Sequence, residues 1–245
     1  PVYATDLFFS AYMEGSSNNK AIAIYNGTGS TVDLSSYSIK LFNNGAVTAN
    51  QTLALSGSFA HNEVYVIVNG SATASILSLA DLVSSSITGF NGDDALTLLK
   101  NGVVVDSFGQ VGFDPGSSWS ANGVSTLDKT LIRKSSTLSG DANSTNAFDP
   151  SVEWIQQDVD STANLDTFTM SGGSAPLVAV AFDAIVSKTA YFVNGSLDLT
   201  GSYLRVFYDN GTSGIVSING SMITDFTTST RSEERRVGKE CRSRG

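Results

Sequence analysis

The sequence predicts an all-β protein built on a β-sandwich, and three observations indicate it. Charged residues make up only 15% of the chain, against about 25% in an average soluble protein, whereas long helices carry many Glu, Lys and Arg on their solvent face. Short apolar stretches alternate between two faces, and turn signals rich in Asn, Gly and Ser recur about every 8–12 residues. The hydrophobic residues, 41% of the chain, are enough for a packed core.

Apolar segments that each end in a turn signal predict the strands of the first part of the chain. In KAIAIY, Ile22 and Ile24 fall on one face of the predicted strand, and Ala21, Ala23 and Tyr25 fall on the other. The other strands are predicted in DLFFSAYMEG, YSIKLFNNG, EVYVIVNG, ALTLLK, GVVVDSFG, KTLIRK and VEWIQQ.

Two connections are predicted from local chemistry. Asn101 and Gly102 both tolerate positive φ and stand between two apolar runs, which is typical of a two-residue β-hairpin turn. The segment SATASILSLADL has the apolar spacing of a short helix, although its Ser and Thr residues weaken that prediction.

Composition divides the chain into four parts. Small residues and Pro176 predict a linker at 173–176. It separates a first module at 5–172 from a second β-rich segment at 177–230, and a tail of different composition follows at 231–245.

The net charge of the chain indicates which classes of partner it is expected to repel. Net charge is −9, but the last fifteen residues hold six Lys and Arg and three Glu, so the body carries −12. Such a body repels nucleic acid and anionic membranes at long range, and we expect neither as a partner. No apolar run reaches the roughly 18 residues of a membrane span. The single cysteine, Cys241, lies in the tail, so the body has no disulfides or thiolate metal sites.

Three segments, taken in order, resemble a bacterial lamin-tail domain over most of residues 5–172. They are LFFSAYMEGSSNNKAIAIYNGTGSTVDLSSYSIKLFNNG, FNGDDALTLLKNGVVVDSFGQVGFDPG and KTLIRKSSTLSGDANSTNAFDPSVEWI. The resemblance implies an immunoglobulin-like β-sandwich in a secreted or cell-surface bacterial protein. Some proteins of this kind carry a separate extracellular nuclease or phosphoesterase domain further along. One departure is Ala23, where the family often has Glu.

The second segment resembles a bacterial immunoglobulin-like repeat through YFVNGSLDLTG and VFYDNGTSGIVSI. Such a sandwich needs about 100 residues and seven strands, so we expect the module at 177–230 to be incomplete. At the other end, PVYA suits the remnant of a signal peptide at residues 1–4.

The tail RSEERRVGKECRSRG admits three interpretations. Its Arg and Lys residues could bind nucleic acid, although three Glu dilute them, and a redox role for Cys241 lacks a partner thiol or histidine. The first eleven residues resemble the translation of a sequencing adapter, so we expect 231–245 to be disordered and foreign to the native gene.

The acidic pair Asp93 and Asp94, which follows Asn91-Gly92, is a candidate Ca²⁺ site because Ca²⁺ prefers hard oxygen ligands. The alternative is that these carboxylates accept hydrogen bonds from turn amides. The D-x-D-x-D-G pattern of a dedicated Ca²⁺ loop does not occur. No other cofactor is expected.

Two tryptophans, Trp119 and Trp154, follow Asp-Pro in GFDPGSSW and AFDPSVEW. They could form a sugar-stacking platform, or they could lock loops against the edge of the sandwich. His61 is the only histidine and has no supporting motif, so neither a Ser-His-Asp arrangement nor a zinc centre is expected.

These observations favour a non-catalytic module that acts in adhesion, spacing or substrate targeting, as a monomer at the cell surface or outside the cell, with a surface polymer or protein as partner. The alternative is an N-terminal accessory region of an extracellular nuclease or phosphoesterase whose catalytic domain lies downstream. Binding to DNA or chromatin is a third interpretation, which the negative charge opposes.

Overall fold

A computed structural model of the chain describes residues 2–171, 179–185, 199–208 and 213–217. The chain forms two compact units, Pro1–Gly173 and Ser174–Gly245, and each is described by itself. The predicted linker at 173–176 and the predicted tail at 231–245 lie outside the described residues. The signal-peptide interpretation of residues 1–4 stays a prediction.

The first unit consists of short strands with two single-turn α-helices and a 3-10 helix at Leu34–Ser36. The strands are β1 Phe8–Glu14, β2 Lys20–Tyr25, β3 Val32–Asp33, β4 Tyr37–Phe42, β5 Gln51–Ala54, β6 Ser58–Phe59, β7 Val64–Val68, β8 Leu82–Val83, β9 Ala95–Lys100, β10 Val103–Phe108, β11 Ser120–Ala121, β12 Val124–Ser125, β13 Lys129–Arg133 and β14 Trp154–Gln157. The helices are α1 Ala74–Leu77 and α2 Pro150–Glu153.

Two sheets form a sandwich. One has six strands in the order β14-β13-β1-β2-β7-β8, and the other has four in the order β10-β9-β4-β5. Their pairings are antiparallel except for β7 and β8, which run parallel. The predicted fold class, an all-β immunoglobulin-like sandwich, is confirmed.

The core lies between the two sheets and follows the predicted alternation. Ile22 and Ile24 of β2 pack in the cluster that joins the sheets, whereas Ala21 and Ala23 belong to a second cluster on the opposite face. Ile76 of α1 packs in that second cluster. The six-stranded sheet is therefore buried on both faces, which explains why β1 and β2 are apolar at nearly every position.

Local chemistry fixes the connections. Asn101 and Gly102 have φ of 50° and 81° between β9 and β10, as the hairpin prediction requires. The predicted helix at 71–82 is correct in place but wrong in length, because only Ala74–Leu77 is helical and no side chain caps its start at Thr73.

The predicted strand VEWIQQ was also too long. Asp149 accepts a hydrogen bond from the amide of Ser151 at 2.8 Å, and Pro150 occupies the first turn of α2. This N-cap directs residues 150–153 into a helical turn, so β14 begins only at Trp154.

The described part of the second unit is an antiparallel sheet of three strands, β15 Ala179–Ile185, β16 Tyr203–Tyr208 and β17 Ser213–Ser217, in that order. Its interpretation as an incomplete immunoglobulin-like repeat stays a prediction, because much of 177–230 lies outside the described residues. None of the described helices is long and apolar enough to cross a membrane.

Candidate functional site

The predicted acidic pair lies in the turn Asn91–Asp94, which leads into β9. Asp93 and Asp94 are buried, with 5% and 2% of their surfaces exposed. Asp94 Oδ1 accepts a hydrogen bond from the amide of Asn44 at 2.8 Å, and Oδ2 accepts one from the amide of Asn91 at 3.2 Å. Burial raises the pKa of both carboxyls. Asp94 thus makes the turn-amide contacts of the structural interpretation.

The carboxamide of Asn91 lies between the two carboxylates. With its nitrogen turned towards them, it donates to Asp94 Oδ2 at 2.8 Å and to Asp93 Oδ1 at 2.5 Å. With its oxygen turned towards them, three acceptor oxygens face one another with no hydrogen between them. With the nitrogen turned towards the carboxylates, the amide thus satisfies both of them within the turn.

Beside this turn lies an ion pair that was not predicted from the sequence. Lys20 Nζ lies 2.8 Å from Glu14 Oε1 and donates to the carbonyl of Phe90 at 2.5 Å. Glu14 Oε2 accepts a hydrogen bond from the amide of Asp128 at 2.6 Å. Glu14 and Lys20 are cross-strand partners in β1 and β2, so only the strand register brings them together.

Tyr12 of β1 contributes a buried hydroxyl to the core. Its side chain is completely buried between the rings of Phe90 and Phe108, whose centroids lie 4.6 and 4.0 Å from its own. Within the described ranges, nothing meets hydrogen-bond geometry with its oxygen. Burial and the charges of Glu14, Asp94 and Asp93 raise the pKa of Tyr12 well above its usual value.

Trp119 and Trp154, the candidate sugar-stacking residues, both lie in the core. Trp119 is 6% exposed and packs edge-on against Phe148 at 5.6 Å, while Trp154 is 1% exposed and packs edge-on against Phe108 at 5.0 Å. Both rings thus pack against core side chains, and a role in sugar stacking stays a prediction. Asp114 Oδ1 accepts a hydrogen bond from the amide of Gly116, as expected of a turn at Asp-Pro.

His61 lies at a turn, where its side chain contacts the loop at 27–30. Its Nδ1 accepts a hydrogen bond from the amide of Gly29 at 3.0 Å, and the ring packs edge-on against Tyr3 at 5.6 Å. The imidazole thus fixes the loop at 27–30. Among the described residues, no three His, Cys, Asp or Glu side chains form a group that could hold a metal ion.

Sequence reasoning missed a buried ion pair between the sheets. Arg133 Nη2 lies 3.1 Å from Asp106 Oδ1 and 3.2 Å from Glu153 Oε2, and the Arg133 and Asp106 side chains are fully buried. The guanidinium lies over the ring of Trp154 at 4.8 Å. A local signal exists, because Arg133 occupies the same strand face as the core residue Leu131.

A polar cleft of about 570 Å³ opens beside β7. Its lining includes the exposed carboxylates of Glu63, Asp81 and Asp166 together with Tyr65. Asp81 Oδ2 accepts a hydrogen bond from the amide of Val66 at 2.8 Å, and Glu63 Oε2 accepts one from the amide of Ala60 at 2.8 Å. Two of the three carboxylates therefore support the loops that form the cleft.

Part of the first unit matches the sequence model of a known protein family. Residues 3–112 match the model of the lamin tail domain. That range is less than half of the chain and ends shortly after β10, so β13 and β14, which complete the six-stranded sheet, lie beyond it. No curated protein and no solved structure was found to match the chain.

Proposed function

We propose that this chain is a non-catalytic module of a secreted or cell-surface bacterial protein, acting in adhesion, spacing or substrate targeting. The observation that carries the proposal is the use of its buried charges. Asp106, Arg133, Glu14 and Lys20 bond strands and loops to one another. They stabilise the sandwich and are not available to a substrate.

The similarity of residues 3–112 to the lamin tail domain supports this proposal. A lamin tail domain is a generic immunoglobulin-like domain, which is compatible with a module that has no catalytic activity of its own. Function on such a scaffold depends on sites added to it, so the fold alone does not select a partner.

The charge of the first unit narrows the class of partner. Residues 1–173 contain six Lys and Arg against sixteen Asp and Glu, a net charge of −10. Anionic polymers such as DNA are repelled by a surface of this kind, most strongly at low salt. A neutral polysaccharide or a protein surface fits better.

Retention of the full chain on immobilised polysaccharides, whole bacterial cells and DNA tests the proposal. We expect no retention on DNA at low salt. Retention on polysaccharide or cells identifies adhesion or targeting, and no retention on any of the three identifies spacing. Hydrolysis of a phosphodiester or ester substrate above a heat-denatured control would contradict the proposal.

The alternative, an accessory region of an extracellular nuclease or phosphoesterase, also draws on the lamin tail domain match. Reading the native gene beyond codon 230 discriminates between the two. A following domain with His, Asp and Asn motifs favours the nuclease, and further immunoglobulin-like repeats favour the surface module.

A further inference from the structure

The dipeptide Asn-Gly recurs along the chain, and six copies lie among the described residues, at 26–27, 44–45, 69–70, 91–92, 101–102 and 122–123. In this dipeptide the backbone nitrogen of Gly can attack the side-chain carbonyl carbon of Asn, because Gly has no side chain that blocks the approach. The attack is intramolecular and therefore fast when the two atoms are held close together. The surroundings of each pair decide whether they can meet.

Three of the pairs are held by contacts that hinder the attack. Asn26 is fully buried. Asn69 is only 6% exposed, and the nitrogen of Gly70, which would have to attack, donates a hydrogen bond to Ser85 Oγ at 3.0 Å. The carboxamide of Asn91 is bonded to the carboxylates of its own turn. We therefore expect these three asparagines to stay intact while the chain is folded.

The other three pairs are exposed and form tight turns. Asn44, Asn101 and Asn122 have φ of 48°, 50° and 48°, and the Gly that follows each of them has a positive φ as well. Positive φ at both central residues is the property of a type I′ turn. The three turns therefore share a backbone geometry, and only their local contacts distinguish them.

The type I′ turn at Asn101 is one rotation of a peptide plane away from the geometry that the attack needs. A five-membered ring closes when the Gly nitrogen eclipses the Asn Cβ, which in an L residue corresponds to a ψ of about −120°, the value at the first central position of a type II′ turn. That position also has positive φ, which Asn101 already adopts. Gly102 accepts the reversed sign of its own φ, and both turn types suit a two-residue hairpin.

The surroundings of Asn101 leave this rotation free. No atom lies within 4 Å of the place where a Cβ on Gly102 would stand, so the peptide plane has room to turn. The amide of Asn101 itself is anchored, because it donates to the carbonyl of Ser36 at 2.7 Å. No hydrogen bond joins the Asn101 carboxamide to another group in the part of the chain that the structure describes.

The other two turns are more restricted. Asn122 Nδ2 donates a hydrogen bond to Ser151 Oγ at 2.9 Å, which holds its carboxamide away from the following peptide. Gly45 lies against the loop after β10, because a Cβ on it would stand 2.8 Å from the backbone nitrogen of Asp114. A rotation of the peptide plane at 44–45 thus meets packed backbone, whereas at 122–123 only one hydrogen bond has to break.

We propose that Asn101 is a site of spontaneous deamidation and that it reacts before the other described Asn-Gly pairs. The Gly102 nitrogen loses its proton and forms a bond to Asn101 Cγ. The carbon–nitrogen bond of the carboxamide breaks, and its nitrogen leaves as ammonia after taking up that proton. Water then opens the resulting succinimide ring at one of its two carbonyl carbons, which leaves an aspartate or an isoaspartate at position 101. Water is the only other reactant.

The modification changes both the charge and the backbone of the hairpin. Each event adds one negative charge to a unit whose net charge is already −10. An isoaspartate also routes the main chain through Cβ, so the turn no longer has the two-residue geometry that joins β9 to β10. The pairing of Lys100 with Val103, directly beside the turn, should loosen in that product. Both effects accumulate with the age of the molecule and need no enzyme or partner.

Incubation of the full chain at pH 8 and 37 °C, followed by tryptic digestion and mass spectrometry, tests the proposal. We expect a gain of about 1 Da at Asn101 that grows with time, because an NH₂ group is replaced by OH. Fragment ions of the tryptic peptide 101–129 distinguish Asn101 from Asn122. Asn101 should react roughly 2–12 times faster than Asn122, the factor that corresponds to the one hydrogen bond of the Asn122 carboxamide. A sample digested without incubation corrects for reaction during digestion.

Three variants locate the site and test its physical cause. Asn101→Gln should abolish the gain at this position, because the longer side chain would have to close a six-membered ring. Asn122→Gln is the matched control at the other exposed hairpin and should leave the rate at Asn101 unchanged. Ser151→Ala removes the partner of the Asn122 carboxamide, so the rate at Asn122 should rise towards that at Asn101.

The chain unfolded in guanidinium chloride supplies the reference, because there the Asn-Gly pairs react without the influence of the fold. A folded chain that shows no gain at Asn101 while the unfolded chain reacts there overturns the proposal. A folded chain in which Asn44, Asn122 or a buried pair reacts first overturns it too. If Ser151→Ala folds and leaves the rate at Asn122 unchanged, the proposed cause of the order is wrong. If Ser151→Ala fails to fold, the order of reaction in the parent chain decides.

Discussion

Arg133 and Asp106 join the two sheets of the sandwich through an ion pair of 3.1 Å between fully buried side chains. Asp106 Oδ2 also accepts a hydrogen bond from the amide of Phe9 at 2.7 Å, beside the bulge that interrupts β1. Its Oδ1 accepts one from the amide of Asp141 at 2.8 Å. A single carboxylate therefore connects β10, β1, β13 and the loop that follows β13.

Substitution of Asp106 by Ala should lower the free energy of unfolding by about 3–5 kcal/mol. The change leaves the Arg133 guanidinium buried without its counter-ion and removes the acceptor for the Phe9 and Asp141 amides. Urea denaturation followed by tryptophan fluorescence measures it, because both tryptophans lie in the first unit.

The matched control for this substitution is Lys100→Ala. Lys100 Nζ lies 2.9 Å from Asp6 Oδ2 in a pair whose lysine side chain is 42% exposed, so its loss should cost less than about 1 kcal/mol. Equal costs for the two variants would show that the buried pair is not a main support of the fold. The double variant Asp106→Leu/Arg133→Met should lose less than the sum of its single changes.

Gly140→Ala should lower the free energy of unfolding of the first unit by about 1–3 kcal/mol. A Cβ at this position would overlap Asp106 Cβ and lie 2.5 Å from the carbonyl oxygen of Val105. The loop would have to move away and break the contact between Asp106 and the Asp141 amide.

Gly89→Ala is the control for that steric effect, because its added Cβ meets only ordinary contacts of 3.5 Å. It should change the free energy of unfolding by less than about 0.5 kcal/mol. Urea denaturation of both variants makes the comparison. A Gly140→Ala variant as stable as Gly89→Ala would mean that the loop at 140 adapts freely.

The structural features that depend on the local pattern of residues can be predicted from the sequence. Alternation in β2 assigns Ile22 and Ile24 to the sheet interface, because successive side chains of a strand must point to opposite faces. Asn101-Gly102 specifies its hairpin, because both residues accept positive φ at little cost.

The Asp106–Arg133 pair could not be predicted in this way. Its residues lie on strands of different sheets, and a register shift between Val104 and Asp106 sets the position of the carboxylate. Charged groups paired across a sandwich depend on the register of several strands at once. In the candidate site, Asp93 and Asp94 were visible in the sequence, but the stacking of the Tyr12 ring of β1 on Phe90, directly before the turn, was not.

Trp119→Ala and Trp154→Ala should each cost about 3–5 kcal/mol of stability, because both rings fill the core. Phe113→Ala is the control: its side chain is 50% exposed, and the change should cost less than about 1 kcal/mol. Far-UV circular dichroism during urea denaturation reports all three. A tryptophan variant of parental stability that has lost retention on polysaccharide would support the sugar-stacking interpretation.

Tyr37 makes the stability of the first unit depend on alkaline pH. Its hydroxyl donates to Asp6 Oδ1 at 2.5 Å, and burial together with that hydrogen bond raises its pKa to about 12. The folded state therefore holds the phenolic proton more tightly than the unfolded state, whose tyrosine titrates near its usual value of about 10. The resulting stability is complete below about pH 10 and is lost as pH rises from about 10 to 12.

Tyr37→Phe isolates this contribution from those of the other tyrosines. At pH 8 the variant should be less stable than the parent chain by about 1 kcal/mol, because it lacks the hydrogen bond to Asp6. The difference should shrink as pH rises above 10, because the tyrosine of the unfolded parent chain then ionises, which favours the unfolded state, whereas a phenylalanine cannot ionise. The partly exposed ammonium of Lys100 lies 2.9 Å from Asp6 Oδ2 and screens the interaction between Tyr37 and Asp6. The pH-dependent stability that Tyr37 contributes is therefore limited to about 1 kcal/mol. Urea denaturation at pH 8, 10 and 11 measures it, and a difference that stays constant over this range would mean that Tyr37 ionises at its ordinary pKa.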